Sequence, residues 1–362
     1  MLKKLLSLIF CSFLLASCHH SQIIEPELPG FQPGDSCVRT LLVYMEARNN
    51  LNNEALADLE EMRQAAIPAG NRLLVYRSRR GDDHPVLCEI FKGGDSVLLD
   101  YPDSVLATDP AHMAKVIADT RSIAPSREFA MIFWSHASGW RQLNARGFGS
   151  ENGNAMTTTQ LAAGLAGDRK IDYLFFDCCY MGSAEVAYEL RNSARYFVAS
   201  PCEVPAGGMP YHLTIPELFN PDMEQGLRNA INITVDYYRS DPMEDCPSTL
   251  SLVNLAAMDQ LIDSVKKISS LQLPATFMPQ RFSVNSPYNN MFADLGQYME
   301  ALGSRIPDGV ILHEQHTDRI WNRLSLVYCC GLTVFIPDLR TGIDYSYKGY
   351  NTLQWAKYLN LK

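Results

Sequence analysis

Two apolar, strand-like runs end in residue types that can supply a nucleophile and a base. The run "FAMIFW" leads into Ser135 and His136, and the run "DYLFF" leads into Asp177, Cys178 and Cys179. A thiol and an imidazole within hydrogen-bonding reach form a nucleophile with its acid–base partner. Sites in open α/β sheets lie outside the carboxyl ends of the strands. Because one short predicted helix connects the two runs, we expect the histidine and the cysteines on the same rim of a sheet.

The chain that follows the cysteines predicts an environment that favours thiolate. The helix-like stretch "SAEVAYELRNS" begins at Ser183. Nearby backbone N–H groups and the positive end of a helix lower the pKa of a thiol. The residues alone leave the choice between Cys178 and Cys179 open. They also leave a second interpretation, in which the thiols are buried and the histidine is a hydrogen-bonded core residue.

The elements that would position these residues alternate along the chain. In the first helix-like segment Leu51, Leu56, Leu59 and Met62 have helical spacing, and Asn50 is its predicted N-cap. Predicted strands and helices then alternate up to the strand "ARYFVAS", with "DDHPVLCEIF" and "DSVLLDY" as a hairpin or edge. Alternating strands and helices predict a parallel sheet covered on both faces, an α/β sandwich.

The last third of the chain has a less regular pattern. Two segments look helical, and "RLSLVYCCGLTVFIP" predicts one or two further strands. We expect a single domain over residues 37–362, with this part packed on it as a C-terminal extension. The two histidines of "LHEQH", His313 and His316, do not have the spacing of an H-E-x-x-H zinc motif. The segment is therefore interpreted as a solvated helix face, and no metal site is predicted.

Charge and the first residues indicate the compartment. The formal net charge of −9 argues against nucleic-acid binding. Residues 1–17 combine two lysines, an apolar core and small residues, as in a secretory signal peptide. The stretch ends in "LASC", which resembles a bacterial lipobox and implies lipidation of Cys18. Residues 18–36 have the composition of a tether. We expect a lipid-anchored protein of the bacterial cell envelope, facing the periplasm or the surface.

The cysteines do not predict a disulfide framework. The chain has ten, of which Cys11 lies in the signal peptide, and two pairs are adjacent in sequence, Cys178-Cys179 and Cys329-Cys330. An exported protein can form disulfides, but neighbouring cysteines rarely bridge each other. Most are predicted to be small core residues.

The motifs resemble the clostripain family of cysteine endopeptidases, which are relatives of caspases, legumains and gingipains. The similar segments are "YMEARNNLNNEALADLEEM", "WSHASGW", "FDCCYM" with the helix after it, "VASPCEVPAGGMPY", "GLTVFIP" and, near the end, "YNTLQWAKYL". The resemblance covers roughly residues 39–360. The histidine motif "WSHASGW" followed by the cysteine motif "FFDCCYM" is a strong joint signal. The resemblance implies a caspase-like three-layer α/β sandwich with a mostly parallel central sheet.

The resemblance also implies a role for each residue. Cys179 falls on the family's nucleophile, Cys178 on a small alanine, and His136 on the catalytic histidine. The backbone N–H groups of Ala137 and Cys179 would hold the oxyanion. Asp177 falls on the aspartate that receives a basic P1 side chain, which implies protein or peptide substrates cleaved after Arg or Lys. Capping of the adjacent helix is the alternative role for Asp177. The chemistry requires no cofactor, and calcium enters by family analogy only.

Two positions depart from the family pattern. Ala137 replaces a glycine, which would cost roughly 1 kcal/mol if the position required positive φ, and Arg48 replaces an aspartate. They favour the competing function, a catalytically inactive lipoprotein of the same fold that binds peptides or a surface partner. The presence of Cys179, His136 and Asp177 together argues against it.

The loop between the two catalytic motifs predicts a site of self-processing. The segment "RQLNARGFGSENGNAMTTT" is rich in Gly, Asn and Ser, as in exposed segments that proteases cut. It contains Arg141 and Arg146, and Arg146 is the better candidate because Gly147 follows it and it lies farther from His136. An uncut chain with an open site is the alternative.

Overall fold

The structure is a computed structural model that describes residues 30–141, 147–167, 169–240, 248–282, 292–320, 324–337 and 343–361. The predicted signal peptide, Cys18 and Arg146 lie outside these residues. None of the helices formed by the described residues has the length and apolar character that a membrane crossing requires.

A nine-stranded mixed sheet runs through the centre of the described chain. Its strands, in chain order, are β1 (Cys37–Ala47), β2 (Arg72–Arg79), β3 (Val86–Phe91), β4 (Gly94–Asp100), β5 (Ser126–Trp134), β8 (Ile171–Asp177), β9 (Ala194–Ala199), β10 (Thr249–Asn254) and β12 (Ile311–His316). The spatial order is β12-β10-β9-β8-β5-β1-β2-β3-β4. The five central strands, β9-β8-β5-β1-β2, are parallel, and both edges are antiparallel.

Helices cover both faces of this sheet. The described residues form α1 (Asn52–Gln64), α2 (Pro110–Ile123), α3 (Thr158–Gly164), α4 (Ala184–Glu189), α5 (Tyr211–Leu218), α6 (Met223–Arg239), α7 (Met258–Ile268), α8 (Leu295–Ala301) and α9 (Gln354–Leu359). Short strands lie outside the main sheet: β6 (Phe148–Glu151), β7 (Asn154–Met156), β11 (Ala293–Asp294), β13 (Arg319–Ile320), β14 (Leu324–Ser325) and β15 (Thr333–Val334).

Alternation along the central strands divides the core into two layers. In β1, Leu42 and Tyr44 pack on one face with α2, α3, α4, α7, α8 and α9, while Leu41 and Val43 pack on the other with α1, α5 and α6. A strand buried on both faces is a continuous apolar run, and this is why "RTLLVYM" is recognisable in the sequence. The predicted three-layer α/β sandwich with a mostly parallel sheet is confirmed, as is the hairpin of β3 and β4.

Two local predictions are wrong. Helix α1 begins one residue later than predicted: its N-cap is Leu51, without a side-chain cap, and the side chain of Asn50 is used elsewhere. The segment around His313 and His316 is not a helix face but the edge strand β12. Its polar residues gave no clear period of two, and only pairing with β10 makes it a strand.

Candidate active site

Four neighbouring parallel strands, β9, β8, β5 and β1, end at one rim of the sheet, and the candidate residues follow their ends. The last register pair of β5 and β8 joins Trp134 to Asp177. His136 and Cys179 each lie two residues beyond that pair, which confirms that they follow adjacent strand ends. On one side β9 leads to Val204, and on the other β1 leads to Asn50.

The histidine ring is held by the turn after β1. His136 Nε2 lies 2.7 Å from Asn50 Oδ1. Because an amide oxygen only accepts hydrogen bonds, Nε2 carries the proton in this arrangement, and the lone pair of the neutral ring is on Nδ1. Asn50 was predicted to cap helix α1, and its contact with His136 was not predicted. The signal that would have revealed it is its position just past a strand at the same sheet edge.

The two adjacent thiols have different surroundings. Cys178 is 2% exposed and lies in the core, which agrees with its predicted role as a small buried side chain. Cys179 is partly exposed. Its Sγ accepts a hydrogen bond from the Val204 N–H at 3.4 Å and lies 3.9 Å from the Val204 carbonyl oxygen. Only Cys179 therefore reaches the rim.

The expected thiolate is not favoured in this state. Burial raises the pKa of Cys179 to about 12, and the lowering contributed by the Val204 N–H does not offset it. The nearby carboxylates of Glu203 and Asp177 act in the same direction as burial. Helix α4, whose positive end was expected to favour the thiolate, begins at Ala184. Burial therefore favours the neutral thiol of Cys179.

Asp177 does not cap the adjacent helix. That cap is Ser183, whose side chain accepts a hydrogen bond from the Val186 N–H. Asp177 Oδ2 instead accepts from the Met209 N–H at 3.1 Å and from the Tyr211 hydroxyl at 2.9 Å. Burial raises the pKa of this carboxyl to about 6, against the lowering effect of those two donors.

A second buried carboxyl lies next to Asp177. An ideal Cβ built on Gly208 would lie 2.7 Å from Asp177 Oδ2 and 3.1 Å from Asp58 Oδ2, and Gly208 has a φ of +57°. Burial, followed by the charge of Asp177, raises the pKa of Asp58 to about 9, and Trp134 Nε1 donates to Asp58 Oδ2 at 2.6 Å. Burial therefore favours the neutral form at both positions, more strongly at Asp58 than at Asp177.

Asp177 and Gly208 border a small cavity. Its wall includes Asp177, Glu203, Val204, Gly208 and Met209, with further residues from α6 and β10. The predicted pocket role of "AGGMPY" agrees with this lining. Because Val204 also contacts the Cys179 sulfur, the cavity opens next to the thiol. A negatively charged wall beside a nucleophile suits a cationic side chain.

The two departures from the family pattern have local explanations. Among the described residues other than glycine, positive φ occurs at Asn152, Tyr180 and Asn360, so the strain expected at Ala137 is absent. The bridge between Ala137 and Phe148 runs through the flanking residues, which leaves the Ala137 amide outside that pairing. Arg48 pairs with Asp103 at 2.6 Å.

A calcium site does not emerge from the residues the structure describes. Their one group of three metal-binding side chains is Glu314, His316 and Cys329. Calcium prefers oxygen ligands, so imidazole and thiol donors do not fit it. Calcium dependence stays a prediction from the resemblance.

Comparison with known proteins agrees with this architecture. The model of the clostripain family (Peptidase C11) matches residues 43–303. Clostripain from Hathewaya histolytica is 27% identical over 187 residues, which is 42% of this chain and 36% of clostripain, so the chain matches about a third of that relative's length.

Two solved structures are similar over nearly their whole length. One is a secreted C11 cysteine protease from Bacteroides thetaiotaomicron in complex with an irreversible peptide inhibitor, with a TM-score of 0.75, 24% identity, and coverage of 90% of this chain and 99% of that chain. The other is an inactive zymogen C11 protease from Parabacteroides distasonis, with a TM-score of 0.75, 20% identity and the same coverage. At these identities the likeness establishes the fold. Together with the family model, which spans more than half of the sequence, it establishes that the chain belongs to the clostripain family of cysteine peptidases.

Proposed function

We propose that this protein is a cysteine endopeptidase that cleaves after Arg or Lys, with Cys179 as nucleophile and His136 as acid–base residue. The observation that carries the proposal is the order Val204, Cys179, His136, Asn50 along four neighbouring strand ends, with an acidic cavity against the thiol. Membership of the clostripain family supports the same chemistry.

The reaction begins from a neutral thiol. As the sulfur attacks the carbonyl carbon of the scissile bond, its proton passes to Nδ1 of His136 and a carbon–sulfur bond forms. The Ala137 and Cys179 N–H groups donate to the oxyanion. Collapse of this intermediate breaks the carbon–nitrogen bond, and the leaving amine takes the proton from His136. Water then attacks the thioester, with His136 as base, and releases the acid and the free thiol.

Asn50 keeps the imidazole in the tautomer that this reaction requires. With Nε2–H donated to Asn50 Oδ1 at 2.7 Å, the basic nitrogen is fixed as Nδ1. When the ring becomes imidazolium, the same hydrogen bond stabilises it, because the amide oxygen then accepts from a charged donor. Asn50 is therefore a positioning residue.

Specificity for a basic P1 residue follows from the charge of the cavity. Asp177 is ionised at neutral pH although it is buried, and Glu203 lies on the same wall. A guanidinium or ammonium group in the cavity neutralises a charge that is costly to bury alone. The same cation lowers the pKa of Asp177 toward its ordinary value, so binding and ionisation favour each other.

Location and activation are part of the same proposal. Export through the signal peptide and lipidation at Cys18 would hold the enzyme on a membrane of the cell envelope. Self-cleavage after Arg146 would cut the chain between the two catalytic motifs, and one relative in fold is described as a zymogen. Mass spectrometry of wild-type protein and of Cys179→Ala tests the cut, which should appear in the wild type alone. An intact and fully active wild type contradicts it.

An electrophilic peptide probe with arginine at P1 separates the enzyme from an inactive peptide-binding protein. We expect it to alkylate Cys179, identified by peptide mass spectrometry, and to leave Cys178 unmodified. A matched probe with aspartate at P1 should react far more slowly. If the folded and processed wild type still binds peptide but is not labelled by the probe, the result supports the inactive alternative.

A further inference from the structure

Three side chains of different metal-binding chemistry meet on the edge strand β12. Glu314 and His316 lie two residues apart on this strand, so they share one face. Cys329 approaches the same face from the chain that follows β14. One ligand atom from each residue lies within 4.8 Å of the others. None of the three belongs to the proposed catalytic machinery.

The chain that carries Cys329 crosses this face of β12 with a close backbone approach at Gly331. Ser251 is opposite Glu314 in the register of β10 and β12, and its Oγ donates to the Gly331 carbonyl at 2.6 Å. A Cβ on Gly331 would lie 2.6 Å from Ser251 Cβ and 3.0 Å from Glu314 Cγ, and its φ is +95°. Glycine is thus required where the chain crosses the strand and brings Cys329 to Glu314.

The sequence neighbours of these residues have other partners. His313 lies on the opposite face of β12, where its Nε2 is 2.7 Å from Asn232 Oδ1 of α6. Cys330 Sγ accepts from the Gly296 N–H at 3.3 Å and donates to the Leu332 carbonyl at 3.1 Å. The cluster therefore contains only one of the two histidines, His316, and only one of the two cysteines, Cys329.

The surroundings are accessible and predominantly anionic. His316 Nδ1 lies 2.7 Å from Glu314 Oε1, and their side chains are 27% and 18% exposed. Asp318 and Asp294 add negative charge on the two sides of the cluster. The Arg239 guanidinium lies close by, because it donates to the His316 carbonyl at 2.9 Å, and its positive charge offsets part of this negative charge. Three carboxylates against one guanidinium favour a bound cation.

We propose that Glu314, His316 and Cys329 form a zinc-class metal site that fastens the C-terminal extension to the edge of the sheet. Carboxylate, imidazole and thiolate are the ligands of tetrahedral zinc sites, and three protein ligands leave a fourth position for water. On binding, the Cys329 thiol releases its proton to solvent as the metal–sulfur bond forms.

The site lies beside the proposed substrate cavity. His316 pairs in register with Thr249, and Thr249 lines the cavity together with Ser248. The next residue, Thr317, donates its N–H to the Ser248 carbonyl at 2.8 Å. A metal on His316 would therefore fix the strand edge that forms one cavity wall.

Cobalt(II) is the direct probe, because a thiolate ligand gives a charge-transfer band and a tetrahedral site gives intense visible bands. The protein is the full chain carrying Cys179→Ala, which removes the catalytic thiol as a competing ligand and prevents self-cleavage. Cobalt is added first, and zinc is then titrated to displace it. In the same background, Cys329→Ser, His316→Ala and Glu314→Gln test the ligands. His313→Ala and Cys330→Ser are the matched controls, from the same strand and the same cysteine pair.

We expect one equivalent of cobalt, a charge-transfer band that disappears in Cys329→Ser, and an unfolding temperature that rises with zinc concentration. His316→Ala should weaken binding by more than the roughly 10–100-fold cost of losing an outer-sphere partner. The controls should bind like the parent. Absence of the band from the parent, or its persistence in Cys329→Ser, overturns the proposal. If His316→Ala fails to fold, Cys329→Ser against Cys330→Ser decides, and none of these outcomes depends on peptidase activity.

Discussion

The two adjacent cysteine pairs occupy different parts of the fold. Cys178 and Cys179 follow a central parallel strand, where the ends of β9, β5 and β1 converge. Cys329 and Cys330 cross the face of the edge strand β12. Cys178 is buried in the core, and the Cys330 sulfur is hydrogen-bonded to backbone groups. Cys179 and Cys329, the other members of the two pairs, are partly exposed.

The difference between the pairs lies in where their partners come from. Cys179 contacts Val204, which follows the neighbouring strand β9 and lines the cavity. Cys329 meets Glu314 and His316 from a single strand, gathered within 4.8 Å. The same dipeptide therefore suits a nucleophile in one place and a metal ligand in the other, because the topology around it differs.

The largest expected effect separates the two thiols of the first pair. Cys179→Ala should lower kcat/KM for an Arg-P1 amide by at least about 10⁴-fold, because the nucleophile is lost. Cys178→Ala should retain most of the activity and lose about 1 kcal/mol of stability from the small cavity. Steady-state kinetics and chemical unfolding of both variants check this. Equal losses from two folded variants would mean that the nucleophile is assigned wrongly.

The acidic cavity distinguishes the first pair from the second. Asp177→Asn keeps an oxygen that can accept from Met209 and Tyr211 but removes the charge, so kcat/KM for Arg and Lys should fall roughly 10²–10³-fold. Stability should change far less. The measurement compares substrates with Arg, Lys, Asp and Leu at P1. A wild type that prefers Asp or Leu contradicts the pocket assignment.

The pH dependence sharpens the same assignment. The folded-state pKa of Asp177 is raised to about 6, so the carboxylate that binds arginine is lost as the pH falls through about 6. The kcat/KM profile of the wild type should show an acidic limb there, since this parameter reports the free enzyme. The residual activity of Asp177→Asn should lose the part of this limb that belongs to Asp177. An unchanged limb in that variant assigns the titration to another group.

Loss of the hydrogen bond that fixes the tautomer of His136 should have a smaller effect on activity. Asn50→Ala should lower kcat about tenfold, equivalent to roughly 1.4 kcal/mol of transition-state stabilisation, with little change in KM. Asn50→Asp should raise the pKa of His136 and move its limb of the pH profile to higher pH. A purely structural role would lower activity without moving the profile, and the two variants together separate these cases.

The last prediction concerns how the stability of the fold depends on pH. Asp58 has a folded-state pKa of about 9, far above its ordinary value. The folded protein holds a proton that the unfolded chain releases, so this contribution is fully present below about pH 4 and is lost as the pH rises through about 9. Asp58→Asn keeps the acceptor for Trp134 and lacks this dependence. Relative to the wild type, the variant should therefore gain stability as the pH rises, by at most about 1.4 kcal/mol per unit. Urea unfolding between pH 5 and pH 9 measures it, and parallel curves would contradict the assignment.

The sequence by itself determined the central architecture and the order of the catalytic motifs. Continuous apolar runs such as "RTLLVYM" and the alternation of strands with helices are local signals, because burial on both faces of a sheet leaves its mark on each strand separately. The positions of His136 and Cys179 just past two such strands then placed both residues at one rim.

Only the tertiary structure decided the environment of each side chain. Asn50 was assigned to a helix cap, β12 to a helix and Cys179 to a thiolate, and all three assignments failed for the same reason. Each depends on partners distant in sequence: His136 for Asn50, β10 for β12, and Val204 with the surrounding burial for Cys179. Charge and hydrogen bonding at these positions depend on desolvation and on neighbours from other elements. Neither the desolvation nor the neighbours can be predicted from a local pattern of residues.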